Sequence, residues 1–198
     1  MKVPVIVANG GANTASLRYA LERLGVKPEV SADPRVIRSA THVILPGVGA
    51  AQDAMRRLVA AGLGELIPSL TQPVLGICLG MQLLYERSDE QDTPCLGVFP
   101  GRAERFEGAP GRAVPHMGWN RLRPLGKHAL LDGIRLGDYA YFVHSFAVAP
   151  GPETVAVSDY GAEFSAVVSR GNFHGAQFHP ERSAKAGARL LANFLELA

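Results

Sequence analysis

"PVLGICLGMQLLYE", residues 73–86, sets a cysteine between two glycines where two unlike patterns meet. Upstream of Cys78 the run Pro73-Val74-Leu75-Gly76-Ile77 is short, apolar and opened by proline, as a buried strand would be. Downstream, residues 79–86 are good helix formers with apolar side chains three and four apart, which predicts a helix. Gly76-Ile77-Cys78-Leu79-Gly80 then has the spacing of a nucleophile elbow, in which the flanking glycines remove Cβ atoms that would clash in the tight turn. A thiol there sits at a helix start, where unpaired N–H groups and the macrodipole favour an anion. The N–H of Leu79 would face a developing oxyanion, a donor typically worth ~3–4 kcal/mol. The alternative is a buried structural cysteine in a glycine turn.

Outward from this seam, apolar runs alternate with helical patterns. Residues 3–8, 29–32 (weakly) and 43–45 read as strands; residues 16–24, stopped at Gly25, 34–39 and 51–61 read as helices. Such alternation predicts an α/β fold with a mostly parallel central sheet covered on both faces. The second half is strand-rich: residues 96–106, 112–122, 140–148, 154–158 and 165–178, with "SRGNFHG" (169–175) as a hairpin turn, predict antiparallel additions. An amphipathic helix over 184–197 closes the chain. With no repeat, low-complexity tract or linker, one domain spanning 1–198 is expected.

Composition narrows the class. Of the 198 residues 47% are apolar and 19% charged, as in a soluble globular protein. No apolar stretch approaches the ~20 residues of a membrane span, and the N-terminal stretch reads as a strand rather than a signal peptide. A formal net charge of +2 with scattered arginines makes no case for nucleic acid. Two cysteines argue against a disulfide framework and for a reducing, cytoplasmic setting. Neither a metal nor a cofactor is expected.

A thiol nucleophile wants an imidazole. "GAQFHPERS" supplies His179 with its own orienting group, because Pro180 keeps the segment extended and residues two apart then share a side. Glu181 can thus hold one ring nitrogen while the other faces the thiol. His42, His128 and His174 read as structural, as does Cys95; His116 in "PHMGWN" and His144 in "YFVHSF" stand in less ordinary surroundings. A Cys-His-Glu set implies acyl transfer through a thioester. The Pro46-Gly47-Val48-Gly49 loop, at the end of the preceding sheet strand, is the natural source of a second oxyanion donor.

"PGVG", "GICLGMQLL" and "QFHPE", in this order, resemble the triad-type glutamine amidotransferases, which have a flavodoxin-like glutaminase fold. "VPHMGWN" (114–120) and "YFVHSF" (141–146) are similar to the glutaminase subunits of imidazole glycerol phosphate synthase in histidine biosynthesis. The resemblance implies hydrolysis of L-glutamine, with Cys78 as nucleophile, His179 as general acid and base, and Glu181 as its orienter. Leu79 and the Val48-Gly49 region would hold the oxyanion. Gly47, Gln82, Glu90 and the backbone of Ser145 and Phe146 would bind substrate, with Glu90 meeting its ammonium. It also implies a heterodimer with a (β/α)8 cyclase subunit that takes up the ammonia, contacted around Asn13, Trp119, Asn120 and Arg182. A glutaminase serving another glutamine-dependent synthase is the alternative. One departure stands out: where the family commonly reads D-Y-G-x-G-N after the first strand, this chain has Ala8-Asn9-Gly10-Gly11-Ala12-Asn13. A second is Arg182, where lysine is common.

Overall fold

The structure, a computed structural model, describes residues 2–10 and 14–198. The first half runs β1 (Pro4–Val7), α1 (Thr14–Arg23), β2 (Glu29–Ser31), α2 (Pro34–Ser39), β3 (His42–Gly47), α3 (Ala51–Ala60), β4 (Val74–Cys78) and α4 (Leu79–Leu83). The second half adds β5 (Tyr85–Ser88), β6 (Thr93–Pro94), β7 (Phe99–Arg105), β8 (His116–Arg121), β9 (Arg123–Pro124), β10 (Tyr139–His144) and β11 (Phe146–Ala147). It ends with β12 (Thr154–Asp159), β13 (Glu163–Arg170), β14 (Phe173–Ala176) and α5 (Ala184–Glu196).

Among the described residues the main sheet has the order β2-β1-β3-β4-β14-β13-β12-β9. The five strands from β2 to β14 are parallel, and β13, β12 and β9 extend them antiparallel. This is the expected α/β fold. The apolar runs are continuous because both faces are covered. Ile6, Ile44, Leu75 and Ile77 face a core with Leu17 and Leu21 of α1 and Leu190, Leu191 and Phe194 of α5. Val5, Val43, Leu45 and Val74 face the opposite core, with Ile37 of α2 and Leu58 of α3. Gly25 ends the first helical segment at φ +79°, as a C-terminal stop requires.

Three local expectations fail, the first two through tertiary pairing. The helix expected over 79–86 stops at Leu83. The carbonyls of Leu83, Leu84 and Tyr85 accept N–H groups from residues 96–99, and Tyr85 packs its ring 5.2 Å from that of Phe99. Residues 85–88 therefore form a strand instead, because side-sheet pairing outbids helix propensity. The run 140–148 breaks at Ser145: β10 pairs with β8, whereas β11 pairs with β7 in another sheet. After His179 the chain does not stay extended but turns through a 3-10 segment, Pro180–Arg182.

Topology sets the site. Gly47 stands level with Cys78 across β3 and β4, and Ala176 level with Ile77 across β14 and β4. The C-terminal ends of three parallel strands thus release the 47–49 loop, Cys78 and Gln177 to His179 at one edge, where open parallel sheets place ligands.

Candidate active site

Cys78 holds φ 53° and ψ −113°, a conformation that non-glycine residues avoid. Its neighbours leave no room to relax. A Cβ on Gly80 would lie 1.9 Å from the Leu45 carbonyl oxygen, on Gly76 2.6 Å from the Gly80 oxygen, and on Gly47 2.4 Å from the Gly80 nitrogen. The three glycines let β3, β4 and the first turn of α4 interlock around the thiol. The helix that follows has five residues, so its N-terminal N–H groups, rather than a long macrodipole, are what it offers an anion.

The Cys78 thiol is buried, within 3.6 Å of the Val143 carbonyl and 3.8 Å of the Gln177 amide nitrogen. His179 hydrogen-bonds it and places Nδ1 2.9 Å from Glu181 Oε1. The carboxylate fixes the tautomer and leaves Nε2 for sulfur. The 3-10 turn, rather than an extended run, carries Glu181 back to the ring. Burial alone would push the imidazolium down; hydrogen bonds to Cys78 and Glu181, and their charges, outweigh it and raise His179 to about 10. Sequence reasoning missed Ser183, which is wholly buried. Its hydroxyl donates to the His179 carbonyl (2.7 Å) and accepts from the Tyr141 N–H (2.9 Å), while Tyr141 O accepts from the His179 N–H (2.9 Å).

A cleft of about 320 Å³ opens over the thiol, lined by Gly47, Val48, Gly49, Cys78, Leu79, Gln82, Glu90, Ser145, Phe146 and His179, with Pro115, Val143 and His144 completing its wall. Every residue expected at the catalytic, oxyanion and substrate positions except Glu181, which stands behind the ring, lines this one cavity. Gln82 is buried rather than solvated. Its amide nitrogen donates to the Phe146 carbonyl (2.8 Å) and to Gln177 Oε1 (3.0 Å), so the side chain meets the cleft as an acceptor. Glu90 accepts the N–H of Ala51, the first residue of α3, at 2.8 Å. Gln177 was missed as well; its level with Cys78 follows from the β14–β4 register, which no local pattern reveals.

Trp119 and Arg182 both pack on Tyr141. The indole is 53% exposed and edges onto Tyr141 at 5.8 Å, and the Arg182 guanidinium lies 4.7 Å above the same ring. Asn120 instead turns its amide inward, onto His116 and the Asp159 carbonyl. Asn13 and the atypical residues 11–12 lie outside the described residues. Among the described residues no group of three His, Cys, Asp or Glu is placed to hold a metal ion, and no helix is long and apolar enough to cross a membrane.

A strained thiol at a strand-to-helix turn, an imidazole held by a carboxylate and a polar cleft together define an acyl-transfer site on an α/β sheet. Residues 5–198 match the profile of the family described as glutamine amidotransferase class-I, and the chain belongs to that family. Within it, the chain is 55% identical to the imidazole glycerol phosphate synthase subunit HisH of Xylella fastidiosa, over 97% of this chain and 96% of that protein. It is 53% identical to the HisH subunit of Xanthomonas campestris pv. campestris, over 98% and 96%. A solved glutamine amidotransferase shares the fold at a TM-score of 0.75 and 21% identity, covering 98% of this chain and 97% of that one.

Proposed function

We infer that this chain is the glutamine-hydrolysing subunit of an imidazole glycerol phosphate synthase in histidine biosynthesis, acting through Cys78, His179 and Glu181. The observation that carries the assignment of residues is the His179 ring bonded at once to the Cys78 thiol and, at 2.9 Å, to Glu181. In the resting pair the proton belongs on imidazole and the charge on sulfur. The thiolate attacks the glutamine amide carbon, and the carbonyl π pair moves onto oxygen, facing the N–H of Leu79 and the Val48-Gly49 loop. As that oxyanion collapses, His179 Nε2 gives its proton to the departing nitrogen, the C–N bond breaks and ammonia leaves. Now neutral, the ring takes a proton from water, whose oxygen attacks the thioester. Sulfur departs as thiolate, and glutamate is released.

Glu90 and the Gln82 acceptor suit the ammonium end of the substrate, and the backbone near Ser145 and Phe146, with Gly47 opposite, its carboxylate end. Ammonia lost to neutral water would be protonated and cease to be a nucleophile. The chain therefore works as one glutaminase domain, residues 1–198, in a cytoplasmic heterodimer with a (β/α)8 cyclase subunit. Trp119, Asn120 and Arg182 are the described residues assigned to that contact, and the resemblance adds Asn13.

The test is a glutaminase assay on the chain with and without the cyclase and its nucleotide ligand. Turnover is expected to be weak alone and to rise strongly in the complex. Cys78→Ala should abolish glutamate release while keeping the circular dichroism spectrum and complex formation. Retained turnover in that variant would remove Cys78 from the mechanism, and a fully active lone subunit would argue against a coupled synthase.

A further inference from the structure

His116 and His144 face each other across the β8–β10 ribbon, deep among aromatic rings, and the chemistry derived above uses neither. Their Nδ1 and Nε2 atoms, respectively, are 3.0 Å apart. His116 stacks on Tyr160 at 4.1 Å and Phe142 at 5.1 Å, and His144 lies 5.2 Å from Phe106, so both rings are buried, His144 also bordering the cleft.

The ends of this contact decide its polarity. At the outer end the Arg121 N–H donates to Asn120 Oδ1 (2.8 Å), which turns the amide nitrogen inward. That nitrogen carries only hydrogens; it donates to the Asp159 carbonyl at 2.7 Å and to His116 Nε2 at 3.3 Å. His116 Nε2 is therefore the acceptor, and the His116 proton sits on Nδ1, where it donates to His144 Nε2. His144 in turn keeps its proton on Nδ1 and donates to the Phe146 carbonyl at 2.9 Å. A carbonyl can only accept, so both ends enforce one direction, with each ring neutral and protonated at Nδ1. Burial, which lowers His116 to about 4 and His144 to about 3, keeps them neutral at physiological pH. The Phe146 carbonyl also takes the Gln82 amide at 2.8 Å, and Gln82 leads through Gln177 to the Cys78 sulfur.

We propose that Asn120, His116 and His144 are positioning residues for the glutamine site: a one-way hydrogen-bond chain that sets the Phe146 carbonyl and, through it, the acceptor face of Gln82. The proposal rests on the glutaminase reading of the cleft. A chain that merely satisfied buried polar groups would affect stability alone, whereas this one holds a wall of the substrate pocket and so acts on substrate binding.

Two measurements test it on the full chain in complex with its cyclase. In the wild-type protein, nitrogen-15 NMR of the histidine rings at pH 7 should find His116 and His144 both neutral and protonated at Nδ1; an Nε2-protonated form of either ring overturns the proposal. In steady-state assays His144→Phe, which keeps the ring and removes both nitrogens, should raise KM for glutamine about tenfold with kcat changed less than about threefold. His144→Asn, whose amide can still donate to the Phe146 carbonyl, should recover most of that loss. An unchanged KM in folded His144→Phe, or an equal loss in the asparagine variant, refutes positioning. Should His144→Phe fail to fold, His116→Phe decides by the same split of KM from kcat. A wild-type complex without glutaminase activity would defeat the reading of the cleft instead, while the ring tautomers still decide the chain.

Discussion

Cys78 is strained because three glycines make the strain affordable in space. Gly80 is the most constrained of them: its missing Cβ would sit 1.9 Å from the Leu45 carbonyl oxygen, a backbone atom that cannot swing away. Gly80→Ala should therefore destabilise the chain by about 3 kcal/mol, the upper range for overpacking, seen as a lower urea midpoint at unchanged slope. A midpoint within error of wild type would show that β3 and α4 can part without cost. The G-x-C-x-G spacing made this turn legible in the sequence, and His-Pro-Glu pointed to a base with its carboxylate. Gln177 and Ser183 were not legible. Gln177 is a polar side chain in a short, mostly apolar stretch and Ser183 an ordinary serine among charged residues, and their partners come from strand register and a turn that only the folded chain creates. Glu181 was found for a partly wrong reason, since a 3-10 turn and not an extended chain carries it to His179.

At the scale of elements, α3 begins at Ala51 without a side-chain cap of its own, directly after the 47–49 loop. Glu90 supplies the missing acceptor from 39 residues away, so one carboxylate both lines the cleft and ties down the end of that loop. The two duties separate by substitution. Glu90→Gln keeps an oxygen for the Ala51 N–H but loses the charge that suits an ammonium; KM for glutamine should rise about tenfold or more with kcat nearly kept. Glu90→Ala also frees the loop, and kcat should fall as well. If the two variants behave alike in steady-state kinetics, the tie to α3 does not matter for the reaction. The short strand at Tyr85–Ser88, whose first two residues were read from sequence as the end of a helix, brings the chain to Glu90, so the misread stretch is part of what delivers this carboxylate.

For the whole molecule, the parallel half of the sheet was readable because strands buried on both faces leave unbroken apolar runs bounded by glycine and proline. The allocation of the later strands was not: nothing local says that β14 returns beside β4 while β10 and β11 leave for other sheets. The same burial sets the response to acid. Five of the six histidines have pKa values lowered by desolvation: His42, His116, His128, His144 and His174. Of these, His116 and His174 fall to about 4 and His144 to about 3. Unfolded histidine titrates near 6.5, so below that pH the unfolded chain binds protons that the folded chain refuses. Their contribution is complete above pH 6.5 and drains away as pH falls toward the folded values, at a slope of about 1.4 kcal/mol per pH unit for each fully shifted ring. His179 works oppositely, raised to about 10: it is protonated in both states below pH 6.5 and adds no slope there, and its share drains away across the whole window as pH rises from 6.5 to 10. The urea midpoint should therefore rise as pH falls from 8 to 7, where His179 is protonated only in the folded chain, and drop steeply from pH 6 to 5, before most carboxylates titrate. A midpoint that stays flat down to pH 5 would mean that these rings are charged in the folded chain, and the neutral His116–His144 pair would fall with that result.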